Sequence, residues 1–180
     1  PPAPLTMTGR TEIANHGTIG ADANGKHIIM CETGDMTATV TDGAAPYILT
    51  VNAPTWVQGH DSNGHITTDT FTHTLLGGAL TGDMRLVKQG DGRLVMAKNT
   101  HTYTKETEIW AGELRFDGTL ANSKVWLNRL AALTTDGGTF AKGIDMHYGS
   151  VLKIGDGAKA STVTTDALSL GFGSIVELDL

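Results

Sequence analysis

A chain of 180 residues is long enough for one domain, or two small ones, built around a sizeable core. Its formal charge of -6, with 13 Lys and Arg scattered along the whole length, leaves no basic stripe to neutralise phosphates, so nucleic acid is not an expected partner. No apolar run approaches the roughly 20 residues of a membrane-spanning helix, and a single cysteine excludes both an internal disulfide and a thiolate zinc cluster.

The chain opens on PPAPLTMTG, without a basic or apolar leader, and residues 1–8 read as a linker or processed end of a longer protein. Beyond it the composition is that of a β protein: 23 Gly suit tight turns, 27 Thr suit a pleated surface, and long helix-forming runs are missing. Residues 9–80 form a less regular β region, read as a cap or as irregular coils. Its strand-like runs are KHIIMCE, MTATVT, PYILTV and HTLLGGAL, most of them bounded by Gly, Asp-Gly or Asn. Cys31, apolar on one flank, is expected to be a buried, inert thiol. A loose echo runs through this half. Asp22-Ala23-Asn24-Gly25 and Asp61-Ser62-Asn63-Gly64 each precede a His-Ile pair and then a Thr-Gly-Asp-Met segment, and the two Gly-Asp-Met segments, 48 residues apart, are expected to be two coils apart.

Residues 81–180 are more regular. DMRLVK, RLVMAK, TEIWAG, ELRFDG, KVWLNRL, SVLKIG, ALSLGF and SIVELDL follow one another, and Gly92, Gly112, Gly149 and Gly173 each stand just before a short apolar-alternating run. The steps between these glycines are 20, 37 and 24 residues, which fits one coil of a β-solenoid per step, the longest passing through the loop-rich KVWLNRLAALTTDGG. In a solenoid, inward apolar residues stack into a narrow continuous core while Thr and charged residues face out. A β-solenoid is therefore the expected fold, with an antiparallel β-sandwich as the alternative that the same turn spacing suits. SIVELDL would be an exposed edge strand.

The segment Leu86-Val-Lys88-Gln-Gly90-Asp-Gly92-Arg-Leu94-Val-Met96, with Asn99, Tyr103-Thr104, Thr107-Glu-Ile109 and Gly112-Glu-Leu114 after it, closely resembles the autotransporter-associated β-strand repeat. It departs from that pattern at Lys105-Glu106, where the repeat commonly has glycines. The resemblance implies a right-handed parallel β-helix and a secreted or surface-exposed bacterial protein. It implies a structural role supporting adhesins or polysaccharide-active proteins, and it supplies no catalytic residue.

Candidate chemistry is sparse. His60, His65 and His73 are the closest histidine cluster, but nothing in the spacing makes them converge as zinc ligands must. Asp61 and Asn63, like Asp22 and Asn24, offer oxygen ligands of the kind calcium takes. D-x-N-G without a distal Glu reads instead as a turn closed by a left-handed residue, and no cofactor is expected. Glu106 with Glu108, and Glu177 with Asp179, share strand faces, but paired carboxylates on a Thr-rich face more often only solvate it. Carbohydrate recognition needs exposed rings beside polar groups. The expected ligand-binding residues are Trp56, His60, Asp61, Asn63 and His65 in the Trp56 to His65 loop, together with Trp110 and Trp126, whose alternation with Glu108, Lys124 and Asn128 turns them outward. The expected function is a non-catalytic, secreted or cell-surface module that binds polysaccharide or spaces an attached glycan-degrading domain. The alternatives are a segment of a polysaccharide lyase or glycoside hydrolase, and an adhesin passenger fragment.

Overall fold

A computed structural model of the chain describes residues 9–155 and 160–179, with every side chain among them except those of 56–60 and 66–69. Three parallel sheets wind into a β-solenoid. The first has eight rungs: β1 (Arg10–Glu12), β3 (His27–Met30), β5 (Ile48–Asn52), β9 (Arg85–Gln89), β12 (Thr107–Ile109), β15 (Val125–Leu127), β18 (Ile144–Met146) and β21 (Leu168–Leu170). The second also has eight: β2 (Thr18–Ile19), β4 (Met36–Val40), β8 (Thr72–Gly77), β10 (Arg93–Met96), β13 (Glu113–Arg115), β16 (Ala132–Thr135), β19 (Val151–Ile154) and β22 (Ile175–Leu178). The third, present only in later coils, holds β11 (Thr100–His101), β14 (Thr119–Leu120), β17 (Thr139–Phe140) and β20 (Thr164–Thr165). One antiparallel hairpin, β6 (Thr55–His60) with β7 (Ile66–Thr70), leaves the coil between β5 and β8. Among the described residues it is the only antiparallel pairing of named strands, so the parallel β-helix holds and the sandwich does not.

Period-two alternation in each short strand becomes a column of like residues through the stack. In the first sheet Ile28, Leu49, Leu86, Thr107, Val125 and Ile144 face inward in register. So do Met30, Val51, Lys88, Ile109, Leu127 and Met146. The second sheet opposes them with Met36, His73, Leu94, Leu114, Leu133 and Leu152. Each fully buried aliphatic side chain contributes about 1.5 to 3 kcal/mol of transfer free energy. The third corner is closed by aromatic rings: Phe116 lies 5.3 Å from the His101 ring and 6.3 Å, edge on, from Phe140.

Corners are set by close backbone approach. Gly112 has φ 67°, and a Cβ there would press into the carbonyl oxygens of Gly90 and Gly92 one coil below. Only glycine satisfies both constraints. Outward charges pair between neighbouring coils: Arg93 with Glu113 at 2.8 Å, Lys124 with Asp145 at 2.7 Å, Lys153 with Glu177 at 3.5 Å. Such exposed pairs contribute about 0 to 1 kcal/mol each, but a register slip would break all of them.

Three expectations are corrected. The 37-residue glycine step holds two coils: Glu113 pairs with Ala132 and Ala132 with Val151, so KVWLNRLAALTTDGG folds as β15 and β16 of a complete extra coil. It looked loop-rich because its turn carries Asn128-Arg129-Leu130 where other coils have glycine. The two Gly-Asp-Met segments are not equivalent. Met36 opens β4 in the second sheet opposite His73, whereas Met84 precedes β9 in the first, because the hairpin takes up sequence between them. Cys31 is exposed, since Met30 points inward and the next residue must point out.

Candidate functional site

The loop predicted to bind ligand is the tip of the hairpin. Trp56 and His60 lie on β6, and their side chains fall outside the described residues. Asp61, Asn63 and His65 are exposed. The Oδ1 of Asp61 accepts hydrogen bonds from the backbone N–H of Asn63 at 2.8 Å and of His65 at 2.9 Å, and its Oδ2 lies 3.2 Å from Nδ1 of His65. These contacts, the His65 backbone bond foremost, hold the Asp61 carboxyl below its ordinary range. Its oxygens close a turn, as the D-x-N-G sequence leads one to expect. His73 is remote from this tip in its chemistry, fully buried in the second sheet with Nε2 3.2 Å from the Glu32 carbonyl. Among the described residues no three His, Cys, Asp or Glu side chains converge as a metal site.

Trp110 and Trp126 stand on the outer face of the first sheet, 55% and 38% exposed. They lie on neighbouring coils, for Ile109 pairs with Leu127 and Glu108 with Trp126. Trp110 is held by its own strand: its indole N–H donates to Oε2 of Glu108 at 2.8 Å, and Oε1 of Glu108 lies 3.2 Å from the Arg85 guanidinium. Trp126 packs at 33° on the His147 ring of the next coil, centroids 5.3 Å apart. Both rings are therefore oriented before any ligand arrives, which lowers the ordering entropy of binding.

Where the first sheet turns toward the second, three more side chains form a file. Leu127, Met146 and Leu170 pair in register, and two residues beyond each stand Arg129, Tyr148 and Phe172. The Arg129 guanidinium lies over the Tyr148 ring, 5.3 Å from its centroid, and Tyr148 stacks on Phe172 at 5.7 Å and 16°. Phe172 is 84% exposed and Tyr148 51%. The residue after Arg129 is Leu130, 68% exposed at φ 62°, a conformation filled by Gly149 and Gly173 in the next two coils. A branched side chain held at positive φ is strained. Sequence reading missed this file, since the three residues share neither type nor even spacing and meet only once the coil register is known.

Three of the four candidate carboxylates, Glu106, Glu108 and Glu177, are held in ion pairs. Glu106 lies 3.5 Å from the Arg85 guanidinium that also meets Glu108, and Glu177 pairs with Lys153. An open groove of about 580 Å³ runs along the third sheet, lined by Lys98, Asp117 and the outward threonines Thr100, Thr119, Thr139 and Thr164, one per coil. It is polar and lacks the ring floor of the first sheet. Among the described residues no helix is long and apolar enough to cross a membrane. No family model, curated protein or solved structure matches the chain.

Proposed function

We propose that this chain is a non-catalytic β-helical module, secreted or displayed on a bacterial cell surface, that binds polysaccharide on the outer face of its first sheet. The observation that carries this reading is the set of exposed, pre-oriented rings of Trp110, Trp126 and Tyr148 on successive coils, where burial would have been the usual fate of such large side chains. Pyranose rings present apolar C–H faces and polar edges, which matches flat indole and phenol rings bordered by Glu108, Asn128 and His147. Rungs about 4.8 Å apart repeat this surface along the solenoid, so an extended chain meets one coil after another. Ion pairing of Glu106, Glu108 and Glu177 supports binding over hydrolysis.

The test is affinity electrophoresis through gels containing plant and bacterial polysaccharides. The intact chain is expected to be retarded by at least one. Trp110→Ala with Trp126→Ala should weaken that binding about tenfold or more, equivalent to about 1.4 kcal/mol, while deletion of Thr55–Thr70 should leave it unchanged. Retardation lost with the hairpin and kept without the tryptophans would move the site to the loop. Product formation from any retained polymer by this chain alone would overturn the non-catalytic reading.

A further inference from the structure

Of the five arginines, four have a carboxylate partner: Arg10 with Glu12, Arg85 with Glu106 and Glu108, Arg93 with Glu113, and Arg115 with Asp117 and Asp136. Arg129 has none among the described residues. Its guanidinium instead caps the file of Tyr148 and Phe172, exposed, in a turn whose next residue is the strained Leu130. Asp145, in the same outward column as Trp126, pairs with Lys124 at 2.7 Å. Arg129 is thus the one arginine without a carboxylate partner among the described residues, and it stands beside the exposed rings.

We propose that Arg129 is the anion anchor of this face, so that the polysaccharide it takes is acidic, carrying a carboxylate or sulfate ester on the sugar that stacks on Tyr148. The inference rests on the binding reading above and narrows it. A guanidinium offers two parallel N–H donors to a planar carboxylate or to two sulfate oxygens, a fit that an ammonium lacks. The guanidinium lies over the Tyr148 ring, an arrangement that attracts the cation without supplying an anion to its N–H donors. The Tyr148 to Phe172 stack continues the platform in the direction of the next coil, so one sugar can contact the rings while its charged substituent meets Arg129.

Binding is measured by calorimetry against matched pairs: polygalacturonate and its carboxyl-reduced form, dextran sulfate and dextran. The charged member of at least one pair is expected to bind about tenfold more tightly, and Arg129→Ala should abolish that difference without shifting the melting temperature. Arg129→Lys should restore only part of it. Preference for the first pair assigns the carboxylate, for the second the sulfate. Equal binding of charged and neutral partners, or an Arg129→Ala variant that keeps the preference, would overturn the anchor and leave the polysaccharide module standing. Binding of none of the four, with none retained in the gels above, removes both. A dimer that Phe172→Ser dissociates would assign the face to a second copy and also overturn the proposal.

Discussion

Lys88 puts an ammonium in a column otherwise filled by Met30, Val51, Ile109, Leu127 and Met146. Its stem packs with those apolar neighbours, while Nζ turns to the corner and donates to the carbonyls of Gln89 at 2.7 Å, Gly90 at 2.6 Å and Ala111 at 3.1 Å. Burial pulls its pKa down to about 8, so it remains charged at neutral pH. Lys88→Met keeps the volume and removes three charge-assisted bonds, and a hydrogen bond to a charged group contributes about 1.5 to 3 kcal/mol. A loss of about 2 kcal/mol or more is expected in urea unfolding, and an unchanged midpoint would mean that water replaces the ammonium. His101 and His73 act in the opposite pH range. Both are buried, and desolvation lowers their pKa from 6.5, against weaker pulls from the Ala97, Glu32 and Gly34 carbonyls. Nδ1 of His101 accepts the Leu80 N–H at 3.0 Å, which requires that nitrogen to be unprotonated. Below pH 6.5 the unfolded chain therefore binds more protons than the folded one, and stability falls as pH falls. Melting temperatures should drop as the buffer is taken from about pH 7.5 to about 5, and His73→Leu, which matches its neighbour Leu94, should flatten that decline.

At the scale of the element, the coil carrying the hairpin is an ordinary coil with an insertion. Phe71 N–H donates to the Pro54 carbonyl at 3.2 Å, so the two ends of the hairpin already meet. Ala53 and Phe71 offer their carbonyls to the N–H groups of Gly92 and Arg93 in the next coil. Joining Pro54 directly to Phe71 leaves Asn52, Ala53, Pro54 and Phe71 between Val51 and Thr72, the same turn length as Gln89 to Gly92. Deletion of Thr55–Thr70 should change the unfolding free energy by only about 1 kcal/mol, and a collapse of the circular dichroism spectrum would show that the hairpin supports the coil. The same insertion explains why the first half reads as irregular. Its columns are as continuous as those of the second half, but the hairpin and the absence of third-sheet rungs shift their spacing along the chain.

Over the whole molecule, stability is carried by nearest-neighbour stacking, and the ends have one neighbour each. In β21 and β22 the side chains of Leu168, Leu170, Val176 and Leu178 lie in the inward columns yet remain exposed, because no described coil covers them. Hydrogen exchange should be fastest in these two strands and slowest in β12, β13 and β15, where both neighbours are present. Uniform protection along the stack would contradict nearest-neighbour stacking.

What the sequence determined by itself was local. Period-two runs between glycines specify short strands, the Gly90, Gly92 and Gly112 corners specify their stacking, and alternation turns Trp110 and Trp126 outward beside Glu108 and Lys124. Each of these follows from residues within a few positions of one another. What only the tertiary structure decided depends on register between coils of unequal length. An extra coil was hidden in KVWLNRLAALTTDGG, Cys31 proved to be outward, and Arg129 came to lie over Tyr148 and Tyr148 on Phe172. Stacking contacts join residues one full coil apart, and coil length changes with every insertion, so no fixed period in the chain can announce them.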